Sequence, residues 1–250
     1  MTDPAIPAAT LVVWRDSAAP SGDPQILVVE RSADMAFAAG ALVFPGGRID
    51  EADRKLAAAL GIPEEAAKVT AIRETIEESA VAAGIMGSVD QALGTVLQRA
   101  LIAGADFGDL LDAHSLALDP GALTAFARWR PAFKHARRFD TIFYLVEAPR
   151  GDWLPNPQPG ECVAAEWAAP GELVARIGAG RASAIFPTKR NLERLTQHRD
   201  FADAIADARA HSLDTIVPWV EEIDGSAHIV IPEGRGYPVI SEPLSSATRA

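Results

Sequence analysis

Arg73-Glu74-Thr75-Ile76-Glu77-Glu78 sets three carboxylates within five positions, with a guanidinium beside them. Successive residues of a helix turn by about 100°, so Glu74, Glu77 and Glu78 share one face, and Ile72, Ile76 and Ala83 fall on the opposite one. Like charges this close repel, and a divalent cation is the most economical reason to gather them. Mg²⁺ prefers carboxylate and water oxygens and works beside substrate phosphates. Arg73 and Glu77, four apart, can pair along the helix, which would fix the direction of one carboxylate. Upstream, Phe44-Pro45-Gly46-Gly47 makes a turn at which a backbone carbonyl can approach an ion without a side chain intruding. A charged helix face is by default only solvated. The arginine, the diglycine turn and the strand before it favour metal binding instead.

These residues need a scaffold. At 250 residues, 48% of them apolar, the chain can bury a sizeable core in one domain. The expected organisation is a single domain over 1–250, with a helical insertion at about 90–130 and a C-terminal extension at about 200–250. Leu11 to Trp14 and Ile26 to Val29 read as a hairpin around Pro20-Ser21-Gly22-Asp23-Pro24. A third strand over Ala41 to Phe44 is halted by Pro45-Gly46-Gly47. Asp50 caps a helix to Leu60, ended by Gly61. A second helix starts near Pro63, carries the carboxylates and ends near Gly84. Helices are predicted for Gln91–Gly104, Phe107–His114 and Pro120–Trp129, the alanine content supporting all three. Strands follow at Phe139–Val146 and Val163–Trp167, helices at Gly171–Ile177, Pro187–Gln197 and Asp200–His211, and a strand at His228–Ile231 after an Asp224-Gly225 turn. The pattern is α/β: strands and helices mixed around one sheet.

Composition excludes several classes. A net charge of −11 argues against a nucleic-acid partner. No apolar run is long enough to cross a bilayer, so no membrane partner is expected. Cys162 stands alone, which excludes an internal disulfide framework and suits a reducing compartment. The opening Met1-Thr2-Asp3-Pro4 lacks a basic start and an apolar signal core, and Ala247-Thr248-Arg249-Ala250 is no organelle address. The expected location is therefore cytoplasmic.

The residues quoted resemble the Nudix box, G-x5-E-x7-R-E-U-x-E-E-x-G-U with U apolar. Gly47 matches its opening glycine, Arg73, Glu74, Glu77 and Glu78 its R, E, E and E, and Val81 its last apolar position. Asp53 stands where the first glutamate belongs. It lies 20 positions before Arg73 where the pattern has 8, an excess of 12. Thr75 fills an apolar position and Ala80 replaces the late glycine. A split box resembles the branch around the mammalian peroxisomal coenzyme A diphosphatase. Glu30-Arg31-Ser32, Val43-Phe44-Pro45-Gly46-Gly47-Arg48-Ile49-Asp50 and Arg138-Phe139-Asp140-Thr141 fit it as well. The likeness runs from about residue 8 to 200.

The resemblance implies an α/β/α sandwich with a mixed sheet, and Mg²⁺- or Mn²⁺-dependent hydrolysis of the pyrophosphate in a nucleoside diphosphate linked to another moiety. Coenzyme A or an acyl-CoA leads; ADP-ribose, NADH and dinucleotide polyphosphates are the alternatives, as is a catalytically silent nucleotide sensor. It implies metal binding by the Gly47 carbonyl, Glu74, Glu77 and Glu78, and by a glutamate before a Trp-containing strand, for which Glu161 is the candidate and Glu166 the runner-up. Glu74 is the expected base, with Arg73 beside it as the second catalytic residue. Arg31, Arg48 and Arg138 are expected on substrate phosphates, with His135 and Arg137 near them. Asp53 has a competing use as a capping partner of Asp50. Trp129, Trp153 and Trp219 are expected in packing, and His114, His198, His211 and His228 lack ligand spacing. Family members are often dimers, so a homodimer is compatible with the resemblance.

Overall fold

Along Ile6–Arg15, Ala9, Leu11 and Val13 are buried in one apolar cluster, and Val12 and Trp14 in another. A strand whose side chains alternate between two cores must lie at the centre of a sheet covered on both faces. The computed structural model describes residues 5–17, 22–35, 38–130 and 138–247. In chain order they form β1 (Ile6–Arg15), β2 (Gln25–Arg31), β3 (Leu42–Val43), β4 (Gly46–Arg48), α1 (Glu51–Ala59), α2 (Ala66–Ser79) and β5 (Ile85–Met86). Then come α3 (Gln91–Ile102), α4 (Phe107–Ala113), β6 (Ala117–Leu118), β7 (Thr124–Trp129), β8 (Phe139–Glu147) and β9 (Cys162–Ala168). The remainder forms α5 (Pro170–Gly178), α6 (Phe186–Leu195), α7 (Phe201–Ala210), β10 (Trp219–Ile223), β11 (Ser226–Val230), β12 (Ser241–Pro243) and α8 (Leu244–Ala247).

The main sheet is mixed, in the order β3-β2-β1-β8-β7, with β9 on β2 and β4 on β1. β1 runs parallel to β8 from Ile6↔Phe139 to Trp14↔Glu147. It meets β2 antiparallel only at Trp14↔Ile26 and Arg15↔Gln25. Beyond that the two part, and β3 and β4 fill the fork. β3 joins β2 at Val29↔Val43, and β4 joins β1 from Ala8↔Arg48 to Thr10↔Gly46. On one face Leu11, Val13 and Leu27 pack under Ile72, Ile76 and Leu97. On the other, Val12, Trp14 and Val28 pack under Leu173, Leu192 and Ala204. This is the expected α/β/α arrangement.

Three expectations need correction. Pro120–Trp129 is not helical: a 3₁₀ turn at Pro120–Ala122 leads into β7, which pairs with β8 from Thr124↔Leu145 to Trp129↔Thr141. Pairing with a buried neighbour overrides alanine's helical preference. The carboxylate helix ends at Ser79, not near Gly84, because Ala80 takes a left-handed conformation, φ 62°. Pro45-Gly46-Gly47 does not stop the third strand for good. The chain resumes as β4, and the Pro45 carbonyl accepts from Leu11 N–H at 2.9 Å. The turn at 18–21 and the segment 131–137 with His135 and Arg137 lie outside the described residues. No helix among the described residues is long and apolar enough to cross a membrane.

Candidate functional site

α2 is held from both sides. Val69, Ile72 and Ile76 are buried in the core, and the carboxylates turn towards β4. Polar residues on the buried side satisfy themselves within the helix. Thr75 Oγ1 donates to the Ala71 carbonyl at 2.7 Å and Ser79 Oγ to that of Thr75 at 2.5 Å, so a threonine can occupy an apolar position. Between Asp53 and Arg73 lie the rest of α1, a 3₁₀ turn at Pro63–Glu65 and the first turns of α2, with Ala57 fully buried in the same cluster.

Arg73 organises the carboxylates. It donates to Asp53 through Nε (2.8 Å to Oδ1) and Nη2 (3.0 Å to Oδ2), and to Glu77 Oε2 through Nη1 at 3.1 Å. Its Nη2 also lies 2.9 Å from Glu74 Oε1. The expected Arg73–Glu77 pair is present. Asp53 accepts from Asp50 N–H at 3.1 Å and from Thr70 Oγ1 at 2.7 Å. It therefore caps α1 and anchors Arg73 at once. Glu78, 2% exposed, accepts from Gly46 N–H at 3.0 Å and lies 3.6 Å from Arg31 Nη1. A Cβ on Gly47 would overlap the Glu74 carboxylate, and one on Gly46 would come within 2.5 Å of the Ala9 carbonyl. Backbone on β1 thus requires glycine at Gly46, whereas a side chain at Gly47 would displace the Glu74 carboxylate.

Electrostatics follow from that crowding. Burial, then the neighbouring Glu74 charge, pushes the Glu78 carboxyl up to about 8. Burial pushes Glu74 up to about 7, against the pull of Arg73. Glu77 is also raised, first by burial and, against Arg73, by the Glu161 charge. Burial opposes the Arg73 charge, yet its hydrogen bonds to Asp53 and the surrounding carboxylates hold it more firmly protonated than usual. Burial and the nearby Glu78 push the Cys162 thiol up to about 12, which removes it as a nucleophile near neutral pH.

Glu161 stands just before β9, tethered by its N–H to the Gln158 carbonyl at 3.3 Å. Its charge is felt at both Glu77 and Glu78. Glu166 is elsewhere. It pairs with Val28, whose side chain faces the α5–α7 layer, and is held by Arg176 at 2.6 Å. Among the described residues no group of three acidic, histidine or cysteine side chains stands gathered to hold a metal ion. Glu74 and Glu77 lean on Arg73, and Glu78 turns to Gly46 and Arg31.

A cleft of about 270 Å³ opens beside the diglycine strand, and Arg31, Arg48 and Arg138 all line it. Residues far apart in sequence are thereby gathered at Gly46 and Gly47, and Arg31 links the cleft to Glu78 on α2. Arg48 sits at the rim beside Asp50, at 2.7 Å. Phe44 and Phe143, in edge-to-face contact with centroids 6.3 Å apart, line the same cleft. Trp129, 1% exposed, closes its wall and donates from Nε1 to Tyr237 Oη at 3.0 Å. Trp153 is buried against α3, whereas Trp219 is exposed. Sequence reasoning missed Thr10, Thr141 and Thr188 in the cleft. The period-2 spacing of Phe139, Thr141 and Phe143, beside Ala8 and Thr10 on β1, was the available signal.

No protein-family model matches the chain, and no curated protein matches it. Solved structures do. The Nudix domain of Shewanella oneidensis NrtR, crystallised with ADP-ribose, is 13% identical over 77% of this chain and 86% of its own, with a TM-score of 0.44. A MutT Nudix hydrolase from Burkholderia pseudomallei is 16% identical over 76% of this chain and 98% of its own, with a TM-score of 0.41. The crystal structure of a Nudix hydrolase from Alicyclobacillus acidocaldarius is much nearer: 30% identical over 81% of this chain and 96% of its own, with a TM-score of 0.68. Identity sustained across nearly the whole of that relative means that this chain belongs to the Nudix hydrolases, as a pyrophosphohydrolase of that family.

Proposed function

We propose that this enzyme hydrolyses the pyrophosphate of a nucleoside diphosphate derivative at the junction of α2 and β4, and that coenzyme A or an acyl-CoA is its substrate. The observation that carries the reading is the meeting of opposite charges at the diglycine strand. The cleft carrying Arg31, Arg48 and Arg138 ends on Gly46 and Gly47, and the half-buried Glu74 and the buried Glu78 lie behind them. The coenzyme A assignment rests on likeness to one branch of the family: Asp53 stands as the first acid of an interrupted box, and the end of α1 with the turn into α2 forms the interruption. In this reading 1–250 acts as one hydrolase domain.

The donor set fits a divalent cation. Burial and mutual repulsion raise Glu74 and Glu78 further than Arg73 and Arg31 pull them down, and the side-chain-free Gly47 leaves its backbone open to close approach. The Gly47 carbonyl, Glu74, Glu77, Glu78 and Glu161 would hold Mg²⁺ or Mn²⁺. Such an ion neutralises phosphate oxygens and acidifies water. Arg31, Arg48 and Arg138 bind the substrate phosphates and orient the pyrophosphate across the diglycine turn. Glu74 takes the proton of the attacking water onto a carboxylate oxygen as that water adds to one phosphorus. The other phosphate leaves with the bridging oxygen. Arg73, occupied by three carboxylates, aims Glu74 and Glu77 and does not reach for substrate.

The test is a panel of pyrophosphate compounds incubated with Mg²⁺ and read by mass. Release of 3′,5′-ADP and a phosphopantetheine product from coenzyme A supports the assignment. Faster turnover of ADP-ribose, NADH or a dinucleotide moves the substrate within the same chemistry. Turnover of none overturns the reading.

A further inference from the structure

α2 ends beside the very carboxylates it presents, and its last carbonyls would be orphans without partners from elsewhere. They are met by one strap and one neighbouring helix. The Ser79 carbonyl accepts from Asn156 N–H at 2.8 Å and the Glu78 carbonyl from Gln158 N–H at 3.2 Å. The Glu77 carbonyl accepts from Gln98 Nε2 at 3.0 Å. The same Nε2 donates to the Asn156 carbonyl at 2.7 Å, and Gln98 Oε1 accepts from Asn156 Nδ2 at 2.6 Å. Gln98, 1% exposed, thereby fastens the end of α2 to the strap. From Asn156 the strap runs to Gln158, whose carbonyl accepts from the N–H groups of both Glu161 and Cys162.

Gln98 is not alone on its face of α3. Gln91, Gly94 and Gln98 fall at i, i+3 and i+7, on one side of the helix. Gln91 Oε1 accepts from Leu154 N–H at 2.7 Å, at the start of the strap. Glycine inside a helix costs about 1 kcal/mol relative to alanine. Gly94 stands there because a Cβ would strike the Ala80 carbonyl and come within 2.7 Å of the Trp153 ring. The face is shaped to press the strap against the end of α2.

We propose that Gln98 is a positioning residue: through Asn156 it sets where Glu161 stands relative to Glu77 and Glu78, and so sets the affinity for the divalent cation. This rests on the reading that those carboxylates hold it. Groups behind metal ligands typically govern affinity by about 10- to 100-fold. α3 is then not a passive insertion but the outer jaw of the metal site.

The test is calorimetric titration of Mn²⁺ into the whole protein and into Gln98→Met, Asn156→Ala, Glu161→Gln and the Gln98→Met/Glu161→Gln double variant. Gln98→Met is expected to raise the Mn²⁺ dissociation constant about tenfold, with turnover recovered at saturating Mn²⁺. Lost folding alone would lower turnover at every metal concentration without moving the constant. In the Glu161→Gln background the Gln98 change is expected to add almost nothing, because both act through one carboxylate. Asn156→Ala should act in the same direction and keeps the question open to refutation if Gln98→Met fails to fold. Unchanged Mn²⁺ affinity in the folded variants overturns the positioning role, as do losses that simply add. Absence of Mn²⁺ binding to the unaltered protein overturns the metal reading beneath it.

Discussion

Two buried ionic clusters lie on opposite faces of the sheet, and they are balanced differently. Behind the cleft, between α6 and α7, Asp207 is surrounded by one guanidinium and two imidazoles. Arg194 Nε donates to its Oδ2 at 2.8 Å, and His198 and His211 lie 3.3 and 3.1 Å from its oxygens. Burial raises the Asp207 carboxyl, but the adjacent His198 ring and the Arg194 charge outweigh it and hold it below its ordinary range. On α2 the balance is reversed. Asp53, Glu74, Glu77 and Glu78 face Arg73 and Arg31, four carboxylates against two guanidiniums. There Glu74 and Glu78 are pushed up, because burial and repulsion outweigh the pull of Arg73 and Arg31. The first cluster braces the fold. The second stores an excess of negative charge, which is what a cation site requires and a brace does not.

The sharpest way to break this contrast is Glu78→Gln. The amide still accepts from Gly46 N–H, but the charge is gone. Turnover of the pyrophosphate substrate is expected to fall by about 10² to 10³, the scale seen when one transition-state electrostatic contact is removed. Melting temperature should hold or rise, since burial already opposes the charged form. A large loss of stability with little loss of turnover would make α2 a brace like the other cluster.

Asp53→Ala tests the part of α2 that does resemble a brace. It strips Arg73 of its bidentate partner and α1 of its capping residue while Glu74 and Glu77 remain. Breaking a buried pair costs about 3 kcal/mol at the lower end of the usual range. Urea unfolding should show that loss as a lower midpoint at constant slope. A cost under about 0.5 kcal/mol would mean that the remaining glutamates satisfy Arg73 unaided.

The two clusters also differ in how far sequence could reveal them. Arg73, Glu74, Glu77 and Glu78 lie within two helical turns, so their grouping follows from helix geometry alone. Arg31, Arg48 and Arg138 come together only because β4 enters the β1–β2 fork and β8 lies parallel to β1. Motif resemblance could suggest the three arginines, but not their shared cleft. Asp207, Arg194 and His198 come from α6, α7 and the turn between them, and their histidines looked scattered because the pairing is tertiary. β7 was misread for the same reason: Thr124-Ala-Phe-Ala-Arg-Trp mixes helix-favouring alanines with strand-favouring Thr, Phe and Trp, and pairing with β8 decides for the strand. Ala80 was visible as a departure from the glycine pattern, although its left-handed backbone became readable only once α2 had an end.

Adding metal sharpens the contrast further. A ligand that binds only the folded state at 100 times its dissociation constant stabilises by about 2.7 kcal/mol. Mn²⁺ is expected to raise the unfolding free energy of the unaltered protein by that order and that of Glu78→Gln by much less. Asp207→Asn should keep the full Mn²⁺ response. Equal responses in all three would place the binding outside α2.

The smallest effect separates the clusters by pH. Asp207 is held below its ordinary value of 3.8, so the folded protein gives up that proton more readily than the unfolded chain. Its contribution is fully present above about pH 4 and is lost as pH falls through the lowered folded value. Asp207→Asn should therefore cost about 1 kcal/mol at pH 7, of the order of one typical net hydrogen bond. The two stability curves should converge in acid, because the unaltered protein alone loses the interaction there. Turnover at pH 7 and 25 °C should be unchanged, since Asp207 touches neither α2 nor the arginine-lined cleft. Curves that stay parallel down to pH 2 would mean that Asp207 gains nothing from Arg194 and His198. The balance of charge would then no longer distinguish the brace from the site.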